Sequence, residues 1–357
     1  QNLLGRNIFA LSGGEKQKIA FASVYAMNPN VYLLDEPSSN LDMRAIVELR
    51  EHLRLVKSQR KTVIVAEHRL YYLMDVADRV IYLDGGRVAG DYTPEQFRAL
   101  PAAKRREMGL RAIDLRAETP AYFCAPAAAP VLELRGVSLF YRKRPVLQDI
   151  SLHAAHGEVV AMAGQNGAGK TTFSRALCGL HWESSGEYLW NGRLQKPRER
   201  MTRAGMVMQD VNYQLFAESV AAECVFGLKR PDMALAEKTL AELGLAPLRE
   251  RHPNTLSGGQ KQRLAAAAAI VCGKALLVFD EPTSGLDYDG TARLAALIRR
   301  LADMGKIVFL VTHDYEFVCR TCTRLLHLDG GKIQDDLPVS EENLPKIKAI
   351  FNVEQSA

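Results

Sequence analysis

The chain has 357 residues, of which 47% are hydrophobic and 24% charged, and it carries a formal net charge of +5. This is ordinary globular composition, and the length fits about two domains. It excludes a disordered, collagen-like or disulfide-stapled chain, and no apolar run reaches the roughly 18–20 residues that a membrane-crossing helix needs. The six cysteines are scattered. Cys319-Arg-Thr-Cys322 has redox or half-zinc spacing, but no second pair and no suitably spaced His accompany it, so its expected role is structural.

Near the N-terminus, Leu11-Ser12-Gly13-Gly14-Glu15-Lys16-Gln17 puts a serine and two glycines at the start of a helix. Free N–H groups and the helix dipole make such a start an anion cradle. Residues 31–34 form an apolar strand that runs into Asp35-Glu36-Pro37, followed by Leu41-Asp42. Strands over 62–66 and 80–83 flank Glu67-His68-Arg69. Residues 91–130 are rich in Ala, Pro and basic side chains, which predicts a short extension and a semi-extended linker. The alternation from Val131 to Ser138 predicts a strand that opens a new domain.

An apolar strand over 158–163 leads into Gly164-Gln-Asn166-Gly167-Ala-Gly169-Lys170-Thr171-Thr172 and then an amphipathic stretch. This is a phosphate-binding loop in its strand–loop–helix context. Its glycines let successive N–H groups face a phosphate, Lys170 is expected to reach the β- and γ-phosphates, and Thr171 to ligate Mg²⁺. Farther on, Met208-Gln209 precedes Gln214-Leu215-Phe216, and Leu256-Ser257-Gly258-Gly259 opens a second Ser-Gly-Gly helix. The strand over 275–280 is apolar on both faces, which predicts a parallel sheet, with ligands at its C-terminal edge. There Asp280 is placed to hold Mg²⁺ and Glu281 to orient or deprotonate water. Asp287 and Thr312-His313-Asp314 complete the series. Trp182, Tyr188 and Trp190 are expected to pack an antiparallel layer.

Leu256-Ser257-Gly258-Gly259 stands 245 positions after Leu11-Ser12-Gly13-Gly14, and the same offset relates Asp280 to Asp35, Asp287 to Asp42 and His313 to His68. One gapless offset over this span marks a duplicated domain. The organisation expected is residues 1–90 as the C-terminal part of a first copy without a phosphate loop, 91–130 as extension and linker, 131–340 as a complete second copy, and 341–357 as a tail. The first copy is expected to lack roughly 115 N-terminal residues, with exposed sheet edges and poor folding of the isolated fragment as consequences.

Together these motifs resemble the nucleotide-binding domain of ABC-type ATPases over nearly the whole chain apart from the linker. The resemblance implies an α/β fold of tandem P-loop domains with a parallel sheet core, an antiparallel β layer and a helical subdomain. It implies ATP and Mg²⁺, with Tyr141 stacking on adenine and Gln209 linking Mg²⁺ and water to a membrane partner. Asp42 and Asp287 are then D-loop residues, and His68 and His313 switch histidines. The two copies pair head to tail, so the site of Lys170, Glu281 and His313 is completed by Ser12, Gly13 and Gly14. The opposite site holds Asp35, Glu36, His68 and Ser257-Gly258-Gly259.

Gln214-Leu215-Phe216 after the Q-loop resembles the motor subunits of energy-coupling-factor importers, with Val211 where their pattern has proline. Glu67-His-Arg-Leu-Tyr-Tyr-Leu73 resembles the fused, double-domain motors of that group. This implies a peripheral motor on the cytoplasmic face of the membrane, with a transmembrane scaffold (T component) and a substrate-capture protein (S component), and no nucleic acid. The cargo would be a vitamin, metal ion or similar solute. The alternative is a soluble tandem ATPase acting on ribosomes, whose linker is usually longer and more highly charged.

Overall fold

The computed structural model describes residues 7, 13–39, 41–123, 128–208 and 211–355. These fall into two compact units, residues 1–118 with 351–357, and residues 119–350.

The first unit contains α1 (Gly13–Ala26), β1 (Val31–Asp35), α2 (Met43–Ser58), β2 (Thr62–Ala66), β3 (Val80–Asp84), β4 (Arg87–Tyr92), α3 (Pro94–Ala99) and α4 (Ala102–Glu107). β1 pairs in parallel with β2, and β3 pairs antiparallel with β4 as a separate ribbon. Asp42 caps α2 by accepting from the Ala45 amide, and Ile46, Leu49, Leu53 and Val56 turn one face of that helix inward. The extension after β4 is folded. Thr93 and Gln96 form a capping box on α3, and Phe97 is buried with Leu70 and Met74.

The second unit contains β5 (Leu132–Tyr141), β6 (Arg144–Ala154), β7 (Val159–Ala163), α5 (Lys170–Leu177), β8 (Ser184–Trp190), β9 (Arg193–Leu194), α6 (Pro197–Arg203) and β10 (Ala204–Val207). It continues with α7 (Val220–Cys224), α8 (Met233–Glu242), α9 (Gly258–Val271), β11 (Leu276–Asp280), α10 (Tyr288–Asp303), β12 (Ile307–Val311), α11 (Tyr315–Thr321), β13 (Arg324–Asp329), β14 (Lys332–Pro338) and α12 (Leu344–Ile350). Six strands form a mixed sheet in the order β10-β11-β12-β7-β13-β14, parallel except for β14. Every residue of β7, β11 and β12 is buried, as strands covered on both faces require. An antiparallel sheet, β6-β5-β8-β9, packs through Leu134, Val137, Leu139 and Leu147 onto Phe173 of α5 and Val278, Phe309 and Leu326 of the mixed sheet. Tyr188 and Trp190 belong to this layer, whereas Trp182, expected there too, is 81% exposed in the connection before β8.

The 245-residue offset extends to backbone detail. Val31↔Thr62 through Asp35↔Ala66 in one unit has the register of Leu276↔Ile307 through Asp280↔Val311 in the other. The β-bulge between Tyr82 and Leu83 falls where that between His327 and Leu328 does. The difference lies in what covers the sheet. Val31, Leu33, Ile64, Ile81 and Leu83 are exposed, while their counterparts Leu276, Val278, Phe309, Leu326 and Leu328 are buried with Phe173, Ala176 and Leu177 of α5. β7 separates β12 from β13 in the second unit, and among the described residues no strand bridges β2 and β3.

Candidate functional site

The loop after β7 bends through three glycines in the left-handed region, Gly164 (φ 148°), Gly167 (φ 90°) and Gly169 (φ 96°). A side chain at Gly164 would also collide with the Leu328 carbonyl, 2.2 Å from an added Cβ. Gly167 and Asn166 are exposed at the crest, and Thr172 is half-buried in the first turn of α5. Lys170 begins α5 and is buried. Its Nζ donates to the carbonyls of Gly164 (2.6 Å) and Gln165 (3.0 Å), so the ammonium is held within the curl of the loop.

Asp280 ends β11, opposite Val311, and is 2% exposed. Burial pushes its carboxyl up, against the Thr171 hydroxyl hydrogen bond and the Lys170 and Arg175 charges, which pull it down. A buried carboxylate beside a hydroxyl is a hard-oxygen donor pair that fits Mg²⁺. Among the described residues no three His, Cys, Asp or Glu side chains converge to hold a metal.

Glu281 follows in a left-handed conformation, φ 50°, its amide donating to the Val311 carbonyl at 2.8 Å. A non-glycine residue held there costs about 1–3 kcal/mol, which the surrounding structure must supply. The bend turns Glu281 toward the end of β12, where its Oε1 lies 3.4 Å from His313 Nε2 and its Oε2 lies 3.4 Å from the His313 amide. Both residues are buried.

The first unit repeats the pair. Glu36 has φ 42°, its amide donates to the Ala66 carbonyl at 2.8 Å, and its Oε1 lies 3.5 Å from His68 Nε2. Here both side chains are more open, 36% exposed for Glu36 and 43% for His68. Asp35, at the end of β1, is exposed.

Ser257 caps α9 in a capping box with Gln260, and it and Gly258 are exposed. Gly259 packs so closely that a Cβ would meet Leu286 at 2.9 Å. Gly13 and Gly14 open α1 in the corresponding position. Asp42 and Asp287 both cap the following helix, accepting from Ala45 (2.8 Å) and Gly290 (2.7 Å). Tyr141 ends β5 with its ring 60% exposed and the Arg142 guanidinium 5.7 Å from the ring centroid. Ser12 and Gln209 lie outside the described residues.

Two positions beside Gln209 take on roles that their motif alone did not assign. Gln214 accepts from the Met208 amide (2.6 Å) and donates to the Met206 carbonyl (2.8 Å), bracketing the loop. Glu223, 4% exposed, accepts from the amides of Phe216 and Ala217, both at 2.7 Å. A carboxylate buried on two backbone donors fixes the loop while leaving Tyr213 and Phe216 exposed.

A lysine-bearing glycine loop, a buried Asp-Glu strand end and a histidine facing the glutamate define an α/β P-loop nucleotide hydrolase. The sequence profile of the ABC transporter family matches residues 1–39 and 147–284. A putative ABC transporter ATP-binding protein of Treponema denticola is 48% identical over 350 residues, covering 96% of this chain and 71% of the relative. One from Methanosarcina mazei is 32% identical, covering 91% and 66%. Among solved structures, cbiO1 of Clostridium perfringens, described as part of the ABC transporter complex cbiONQ, superposes with a TM-score of 0.55. It is 25% identical, and the match covers 64% of this chain and all of that one. Ribosome-bound archaeal ABCE1 with Pelota gives a TM-score of 0.78 at 24% identity over 98% of this chain and 60% of that one, a likeness of fold. The chain belongs to the ABC transporter ATP-binding proteins, and is accordingly an ATPase that works on ATP with Mg²⁺.

Proposed function

We propose that this chain is the double-domain motor of an energy-coupling-factor type importer, peripheral on the cytoplasmic face of the membrane. It would power uptake of a vitamin, metal ion or similar small solute. A T component would receive its mechanical work and an S component would capture the cargo. The observation that carries this reading is the exposed aromatic group beside the Q-loop. Tyr213 (74%), Phe216 (68%) and Phe226 (61%) stand out of the surface, with the Phe216 and Phe226 rings 6.4 Å apart. Exposed clustered aromatics mark a protein-docking face. Their place next to Gln214-Leu215-Phe216 and the likeness to cbiO1 favour a membrane scaffold as the occupant. No described helix is long and apolar enough to cross a membrane.

In this reading the loop of Lys170 cradles the triphosphate, Tyr141 stacks on the base, and Ser12, Gly13 and Gly14 of the first copy close over the γ-phosphate. Thr171, Asp280 and Gln209 would hold Mg²⁺, which would supply neutralisation of phosphate charge. Glu281 orients the attacking water and accepts its proton, and His313 holds Glu281 in place while facing the γ-phosphate. Closure of the two copies and reopening after hydrolysis moves the scaffold. The first copy, residues 1–90, would supply the opposite site through Asp35, Glu36 and His68, with Ser257, Gly258, Gly259 and Asp287 facing it. The repeated register and the repeated Glu–His pair support two copies, with residues 91–130 between them, 131–340 as the second and 341–357 as a tail. The bare apolar face at Leu33 and Ile64 supports a first copy that is complete only with a phosphate-loop strand and helix seated there.

The test is affinity purification of the tagged protein from detergent-solubilised cells of its source. Copurification of a polytopic membrane protein is expected, and a Phe216→Ala/Phe226→Ala variant should lose it while keeping its melting temperature. Recovery of ribosomes without membrane protein would overturn the importer reading.

A further inference from the structure

The two switch-histidine loops are held by different chemistry. In the second unit Thr312 accepts from the Asp314 amide (3.1 Å), and Asp314 caps α11 by accepting from the Phe317 amide (3.1 Å). The first unit has Glu67 for Thr312 and Arg69 for Asp314, so the capping acid has moved two positions along the chain. Without a cap at Arg69, the segment after the histidine forms only a short 3-10 turn, Tyr71–Leu73, in place of the α11 helix.

The displaced carboxylate gathers four donors. Glu67 Oε1 accepts from the amides of His68 (2.8 Å) and Arg69 (3.1 Å), and Oε2 accepts from the Ser38 amide (3.2 Å) and the Tyr72 hydroxyl (2.9 Å). Ser38 lies two residues beyond Glu36, so one side chain ties the turn carrying Glu36 to the loop carrying His68. Ser38 and Tyr72 are each 1% exposed, so these bonds lie on the dry side of the loop. Burial and the Glu67 charge push the Tyr72 phenol up, which keeps it a donor. Charge-assisted bonds to a carboxylate are about twice as strong as neutral ones.

We infer that Glu67 is a positioning residue whose carboxylate locks the Glu36 turn to the switch loop and so holds His68 against Glu36. The proposal rests on the reading of Glu36 and His68 as half of an ATP site. It makes the two sites unequal, because Glu67 ties this loop to the Glu36 turn, whereas the corresponding position of the other loop holds the Thr312 hydroxyl, which accepts from the Asp314 amide.

The imidazole signals of the protein, prepared in complex with its membrane partner, test it by NMR. His68→Gln identifies the His68 peak among the eight histidines. Glu36→Gln is expected to move that peak, and Glu67→Gln, which keeps the shape but loses the charge and two acceptor sites, is expected to move it to the same place. Tyr72→Phe deletes one donor of the four and should move it part of the way, which keeps the test decisive if Glu67→Gln unfolds. A His68 peak that shifts in Glu36→Gln but stays put in both other variants overturns the lock. A peak that stays put in Glu36→Gln overturns the pairing itself. In the full protein with its membrane partner and Glu281→Gln in the other site, adding Glu67→Gln should lower kcat about fivefold with KM for ATP unchanged. If the NMR pairing holds and this site shows no turnover, the lock stands and the ATP-site reading of the first copy fails.

Discussion

Replacing Lys170 by Met tests the phosphate loop while retaining the buried aliphatic stem. Without nucleotide the ammonium donates to two neutral carbonyls, Gly164 and Gln165. Binding ATP exchanges these for anionic phosphate oxygens. The ammonium is charged in both states and only its acceptors change, so each exchange of a neutral carbonyl for an anionic phosphate oxygen gains on the order of 1.5 kcal/mol, the upper part of the margin of a charged group over a neutral one. Two exchanges amount to about 3 kcal/mol, which is about 160-fold in Kd. The freed carbonyls border an open loop crest and can take water, so folding should barely change. Isothermal titration of ATP at fixed Mg²⁺ is expected to give a Kd about 100- to 200-fold weaker, with a melting temperature within about 2 °C of the parent. A Kd within fivefold of the parent would refute the argument, because Lys170 would then be no phosphate ligand.

Three further outcomes follow from groups outside the site. Arg324 donates to Asp336 (2.5 Å twice), Glu158 (3.0 Å) and the His153 carbonyl (2.7 Å), tying together β6, β13, β14 and the residue that leads into β7. Arg324→Met strands the buried Glu158 and should cost about 3–5 kcal/mol in urea unfolding, part of it restored by adding Glu158→Gln; a loss under about 1 kcal/mol would contradict this. Lys346 first, and His327 second, hold the Asp335 carboxyl below its ordinary value. A depressed acid stabilises the fold above its unfolded pKa and loses that contribution as pH falls through the folded pKa. Asp335→Asn should therefore lower the melting temperature at pH 7 but hardly change it near pH 2, and an equal drop at both pH values would be inconsistent with an ion pair. Burial pushes the Cys178, Cys224 and Cys322 thiols up to about 12. Mass spectrometry should find them unalkylated by iodoacetamide at pH 7.5 in the folded protein and fully alkylated in urea; rapid labelling of native Cys322 would reopen a redox role for the 319–322 pair.

Much of the site was legible as spacing. A phosphate loop needs glycines at fixed intervals because the backbone itself is the ligand, so its chemistry is written in consecutive residues. The Ser-Gly-Gly helix starts are equally local, whereas the caps that Asp42 and Asp287 make on amides three residues away emerged in the fold. The repeated spacing of the motifs was legible too, and the strand registers of the two units follow the same offset.

Only the tertiary structure decided which side chains meet across strands. Glu281 reaches His313 because a left-handed residue at the end of β11 turns it toward β12, and nothing in the intervening sequence encodes that distance. In the sequence Glu67 stands where the second copy has Thr312; folding shows it gathering four donors, two of them from residues 29 positions before it and 5 after it. Trp182 had the character of a layer-packing residue, yet the connection between α5 and β8 carries it outward, since burial depends on the path of the chain and not on hydrophobicity alone. Leu33 and Val278 show the same principle. Both are apolar residues in matching strands, and one is bare while the other is enclosed, because the covering helix comes from a part of the fold distant in sequence. Local chemistry and periodicity are properties of neighbours along the chain, whereas pairing and burial belong to neighbours in space.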